Sequence, residues 1–196
     1  MKHSDSTYAP IPVGAIKIAL PDVQQPDDDS CGAASLMAIC AYFGVGPEDF
    51  GDFEKALHTN KKTGTIIYDI IDYAERLGLK VTPVKDGMTQ SDLKAALDAG
   101  TPVIVSMQAY GDPADYHLNK NGHYVVAIGY DDHDNIFFMD PSCTGRRAYL
   151  PWPELDKRWH ENEETERNPD VHSHFGVVIG PKRQTPAYPT RARRID

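Results

Sequence analysis

Two apolar runs in the second half of the chain constrain its fold more than any other feature. Residues 123–130 (HYVVAIGY) and 136–140 (IFFMD) are rich in aromatic and β-branched side chains, and only Asp131, Asp132, His133, Asp134 and Asn135 separate them. Side chains of this kind suit a pleated sheet, and a short polar connection between two such runs predicts an antiparallel hairpin.

The front half has a different period. Leu36, Ile39, Cys40 and Phe43 recur at i, i+3, i+4 and i+7, and Gly44 follows where a helix C-terminal glycine belongs, so a helix is predicted to open near Cys31. A shorter helix is predicted over residues 47–57. Ile67, Ile70, Ile71, Ala74 and Leu77 trace a third that stops at Gly78. Residues 79–84 alternate as a strand, Thr89 caps a helix carrying Leu93, Ala96 and Leu97 up to Gly100, and residues 102–107 read as a buried strand. After the hairpin, residues 152–160 are predicted helical and 175–179 form a last apolar strand. Helices first and antiparallel strands second give an α+β fold, an N-terminal helical subregion packed against a C-terminal antiparallel sheet. The cleft between two such halves is the natural place for a site.

The length, 196 residues, is that of one domain. Residues 24–180 are expected to form it. Residues 1–23, interrupted by Pro10, Pro12 and Pro21, read as an extended lead-in around the apolar stretch 15–20. Residues 181–196 hold three prolines and five basic residues, Lys182, Arg183, Arg191, Arg193 and Arg194, and read as a solvated, mobile tail. Asp and Glu outnumber Lys and Arg by 29 to 20, and a net charge of -9 repels a phosphate backbone, so nucleic acid is not expected as a partner. No uninterrupted apolar run reaches the length of a membrane span or signal peptide, so no membrane partner is expected. Three cysteines, Cys31, Cys40 and Cys143, are too few and too odd a set for a disulfide framework, which predicts reduced thiols and a cytoplasmic location. His172 and His174 share a face if they lie on a strand, but no second ligand pair accompanies them, so neither a metal nor another cofactor is expected.

Cys31 stands directly before Gly-Ala-Ala-Ser at the predicted helix start, where unpaired backbone N–H groups and the positive end of the helix dipole favour a thiolate. Most free cysteines are merely small buried residues, and Cys40 on the apolar face of the same helix fits that description. A thiolate needs a proton donor for the leaving group and a third group to orient that donor. The hairpin provides both: His123 begins one strand, Asp140 ends the next, and antiparallel pairing folds those ends together. An oxyanion hole needs donors aimed at the developing charge. Gln25, six residues before Cys31, and the backbone N–H at the helix start are candidates, with the adjacent Gln24 as a competitor.

With these residues in hand the chain resembles a known family. Residues 25–36 (QPDDDSCGAASL), the following Ala41-Tyr42-Phe43-Gly44, the Gly122-His123-Tyr124-Val125-Val126 strand and Asp140-Pro141 are similar to the papain-like C39 peptidases, in the right order from about Gln24 to Pro141. The stretch from Gly100 to Val105 also looks like that family's Gly-x-Pro-Val-Ile strand. The resemblance implies a papain-like cysteine peptidase fold, with Cys31 as nucleophile, Gln25 in the oxyanion hole, His123 as base and Asp140 as its orienter. Well-known members are joined to ATP-binding cassette transporters and cut leader peptides after paired glycines, whereas this chain reads as a stand-alone peptidase. Ser30 also replaces the aspartate that commonly precedes the cysteine. The expected activity is a cysteine peptidase or amide hydrolase working through a thioester on a peptide or small amide. An acyltransferase using the same thioester and a catalytically idle binding module are the alternatives.

Overall fold

The computed structural model describes residues 10–118, 121–143, 147–162 and 171–182. Three helices come first: α1 (Cys31–Phe43), α2 (Phe50–Ala56) and α3 (Ile67–Arg76). They are followed by β1 (Leu79–Val84), α4 (Gln90–Asp98), β2 (Val103–Gln108), a 3-10 helix (Pro113–Leu118), β3 (Gly122–Tyr130), β4 (Asn135–Met139), β5 (Ala148–Pro151), α5 (Trp152–Arg158), β6 (His160–Asn162), β7 (Val171–Ser173) and β8 (Gly176–Lys182). The fold is α+β, as expected, and the 123–140 hairpin is present as β3 and β4. The division into helices first and strands second is looser than the sequence reading. Two strands from the front half, β1 and β2, join the large sheet.

That sheet has six strands in the order β1-β8-β2-β3-β4-β5, with antiparallel pairing at every step, and β6 and β7 form a separate ribbon. The chain's last described strand, β8, is therefore inserted between β1 and β2. Residues 183–196, which include Arg183, Arg191, Arg193 and Arg194 of the expected tail, lie outside the described residues, as do residues 1–9 of the lead-in. The rest of the lead-in is packed. Ala15, Ile18 and Leu20 are buried, and Ile16 bridges Gly129. Gly129 has no room for a side chain there, because a Cβ would lie 2.0 Å from the Ala15 carbonyl oxygen. The β3–β4 register slips between Ala127 and Gly129, where this crossing takes place.

Local signals explain the helix ends. Thr89 and Asp92 form a reciprocal capping box at α4, worth about 1 kcal/mol. Gly44 ends α1 in the left-handed conformation, φ 65°, which costs a glycine nothing. In α1 itself every residue from Cys31 to Leu36 is buried, together with Ala38, Ile39 and Cys40. Its small side chains let it lie deep in the molecule. Ser35 Oγ donates to the Tyr124 carbonyl at 3.3 Å, which ties α1 to β3 near the strand's start.

Candidate active site

The register of the hairpin decides which side chains meet. Val126 pairs with Met139, so continuing the ladder sets Asp140 beside Val125, two residues along the same face from His123. Such diagonal neighbours are within reach of longer side chains. His123 Nε2 lies 2.8 Å from Asp140 Oδ1. The turn after β4 adds the Ser142 N–H, which donates to the same oxygen at 2.9 Å, and the Tyr110 hydroxyl donates to Oδ2. With Nε2 engaged by Asp140, the other ring nitrogen is the one left to meet Cys31, which lies close enough to favour the charged imidazole. Cys31, His123 and Asp140 are 8%, 7% and 5% exposed, so their interactions are little screened by solvent.

The charges follow from these contacts. Burial alone lowers the basicity of the His123 imidazole, but the hydrogen bonds to Asp140 and Cys31 and the charges of both partners outweigh it, and the pKa is raised to about 9. Burial pushes the Asp140 carboxyl up, yet the hydrogen bond and charge of His123, with donation from Tyr110 and Ser142, hold it below the usual carboxylate range. At neutral pH the pair is imidazolium and carboxylate. Cys40 is the opposite case: burial without a polar partner pushes its thiol up to about 12.

Three contacts set the start of α1. Ser30 lends no side-chain cap to the helix. Its buried hydroxyl instead lies against the carboxylates of Asp27 and of Glu54, the latter at 2.8 Å, and this tethers the segment before Cys31 to α2. The first N–H groups of α1 have no intrahelical acceptor and so point donors toward the site. Gly32 packs directly on Thr65, where a Cβ would lie 2.6 Å from the threonine Cβ, and Thr65 is held in turn by Thr59 at 2.8 Å.

Gln25 also reaches this corner. Its backbone N–H donates to the Pro141 carbonyl at 3.1 Å, its Oε1 accepts from Ser142 Oγ at 2.9 Å, and its Nε2 donates to the Asp27 carbonyl at 2.6 Å. Gln25 is thus pinned to the turn that carries Asp140, with one Nε2–H left to point elsewhere, whereas Gln24 is exposed. Of the residues singled out from sequence, the structure brings together Cys31, His123 and Asp140 and anchors Gln25 beside Asp140. Sequence reasoning missed Tyr110 and Ser142. Ser142 had a signal, lying two residues after Asp140 in an Asp-Pro-Ser turn where its N–H folds back on the carboxylate. Tyr110 had no such signal.

The two histidines considered as a metal pair part company. A left-handed turn at His174, φ 56°, takes it off the strand, so it stacks on Trp159 while His172 packs against Phe175. Among the described residues no group of three or more His, Cys, Asp or Glu is placed to hold a metal ion, and no helix is long and apolar enough to cross a membrane.

An α+β fold carrying a cysteine at a helix start, opposite a histidine and an aspartate on a sheet, matches a defined family. The profile of the Peptidase_C39 like family matches residues 17–166, and the chain belongs to that family. Solved structures agree on the fold. A putative C39-like peptidase from Bacillus anthracis superposes with a TM-score of 0.62 at 16% identity, over 86% of this chain and 98% of that one. A double glycine motif protease from an AMS/PCAT transporter, in complex with its leader peptide, gives 0.59 at 18% identity, over 87% and 96%. The peptidase domain of Streptococcus ComA, a bi-functional ABC transporter of a quorum-sensing pathway, gives 0.56 at 22% identity, over 82% and 97%. No curated protein matches the chain in sequence.

Proposed function

We propose that the chain is a cysteine peptidase or amide hydrolase with Cys31 as nucleophile, His123 as base and acid, and Asp140 as the group that orients the imidazole. The Cys31 thiolate attacks the substrate carbonyl beside the His123 imidazolium, and the collapsing intermediate expels an amine that takes the imidazolium proton. Water then attacks the thioester, giving its proton to the neutral His123, and the acid is released as Cys31 departs as thiolate, which restores the starting pair. The Gln25 carboxamide and the first backbone N–H groups of α1 serve the oxyanion. The observation that carries this reading is the buried histidine held by a carboxylate at 2.8 Å through one nitrogen, with the cysteine beside it. The relative bound to a leader peptide favours a peptide over a small amide as substrate. A thiol nucleophile in a chain with so few cysteines suits a reducing compartment, here the cytoplasm.

The test is a peptide library incubated with native protein and with Cys31→Ala, read by mass spectrometry. Cleavage by the native protein alone, through a Cys31-linked acyl intermediate trapped at low pH, is the expected result. Equal cleavage by Cys31→Ala overturns it.

A further inference from the structure

Tyr110 combines a strained backbone with contacts to two of the proposed catalytic residues. The β2–β3 ladder ends at the Gln108–Gly122 pair, and one more bond, Ala109 N–H to the Asn121 carbonyl at 2.8 Å, continues it before the chain turns. At Tyr110 the backbone enters the left-handed region, φ 58°, where a bulky L side chain crowds the following carbonyl. Gly111 follows against Asn121, whose Nδ2 would lie 2.3 Å from a Cβ there and would have to swing aside.

Backbone strain of this kind persists where the surroundings enforce it. Core packing does not enforce it here, because Tyr110 is 62% exposed. The turn instead serves two contacts. It brings the hydroxyl to Asp140 Oδ2, and it tilts the ring over the His123 imidazole, centroid to centroid 5.5 Å at 60°. Asp140 Oδ1 already accepts from His123 and from the Ser142 N–H. A donor on Oδ2 then stops the carboxylate from rotating about its Cβ–Cγ bond.

We propose that Tyr110 is a positioning residue of the site, whose hydroxyl fixes the plane of the Asp140 carboxylate and whose ring keeps water off the Asp140–His123 hydrogen bond. The assignment rests on the reading of Cys31, His123 and Asp140 as the catalytic set, and it gives the left-handed turn a purpose within that set.

The test follows the proton shared between His123 Nε2 and Asp140 by proton NMR on the full chain, with turnover measured beside it. Tyr110→Gly suits the left-handed backbone and removes both hydroxyl and cover. Exchange of that proton with water should quicken about tenfold or more, and kcat should fall on the order of 100-fold with little change in KM, as for a misoriented base. Tyr110→Phe keeps the ring and drops the donor, so exchange should stay near native while kcat falls about tenfold. Native-like exchange and native-like kcat in both variants would overturn the assignment of Tyr110. The proton is observable whether or not substrate is turned over, so failure of the catalytic reading shows separately, as a native protein that cleaves nothing.

Discussion

The two ends of α1 carry the same side chain in opposite circumstances. Cys31, at the N-terminus, meets a histidine from β3 that is held by an aspartate beyond β4. Cys40, on the buried side of the same helix, is fully enclosed by apolar neighbours, and burial pushes its thiol up to about 12, so it stays protonated and inert at any physiological pH. Helix membership, burial and chemistry of the side chain are shared. What separates the two thiols is the company that distant parts of the chain bring to each, together with the unpaired N–H groups that only the helix start possesses.

The contrast can be broken most severely by Cys31→Ala, which should abolish turnover, a loss of about 10⁴-fold or more in kcat. Iodoacetamide should label Cys31 in the native protein far faster than Cys40, as peptide mapping would show. Gln25→Ala should lower kcat on the order of 100-fold by removing one oxyanion donor, and Gln24→Ala, altering an exposed side chain, should leave kcat unchanged. The reverse outcome would move the oxyanion role to Gln24. Gly32→Ala should cost about 1 to 3 kcal/mol of stability by forcing a methyl against Thr65, visible as a lower Tm, because a Cβ at that position lies 2.6 Å from the Thr65 Cβ. The smallest effect is expected at the quiet end of the helix. Cys40→Ala should preserve kcat and KM and cost about 1 kcal/mol, the price of a small cavity.

The sharper features of this fold were legible because they are local. The apolar period and Gly44 mark α1, and the two aromatic runs around a five-residue polar loop mark β3 and β4. The approach of His123 to Asp140 follows from antiparallel pairing alone. The insertion of β8 between β1 and β2 was not legible, since it depends on partners far apart in sequence. Nor was the packing of residues 15–20, where flanking prolines hide three buried side chains behind the look of a loop. Of the two adjacent glutamines, their burial and hydrogen bonds distinguish Gln25, which residue type alone cannot. Tyr110 shows the deepest limit, because nothing in the letters around it announces a left-handed tyrosine folded back onto a carboxylate.

The most direct test of the account is the alkaline limb of turnover in native protein and in Asp140→Asn. His123 must be protonated to serve the leaving amine, and its pKa is raised to about 9 against the desolvation that lowers it, chiefly by the bond to Asp140. Native activity should therefore hold through neutral pH and fall as pH rises through about 9. Asp140→Asn keeps the side chain's shape and removes the charge, leaving burial to act with less opposition. Its limb should move to lower pH, and its maximal rate should drop. A native limb near the ordinary histidine value of about 6.5, or a limb that Asp140→Asn leaves in place, would contradict the claim that Asp140 and His123 act as one unit on Cys31.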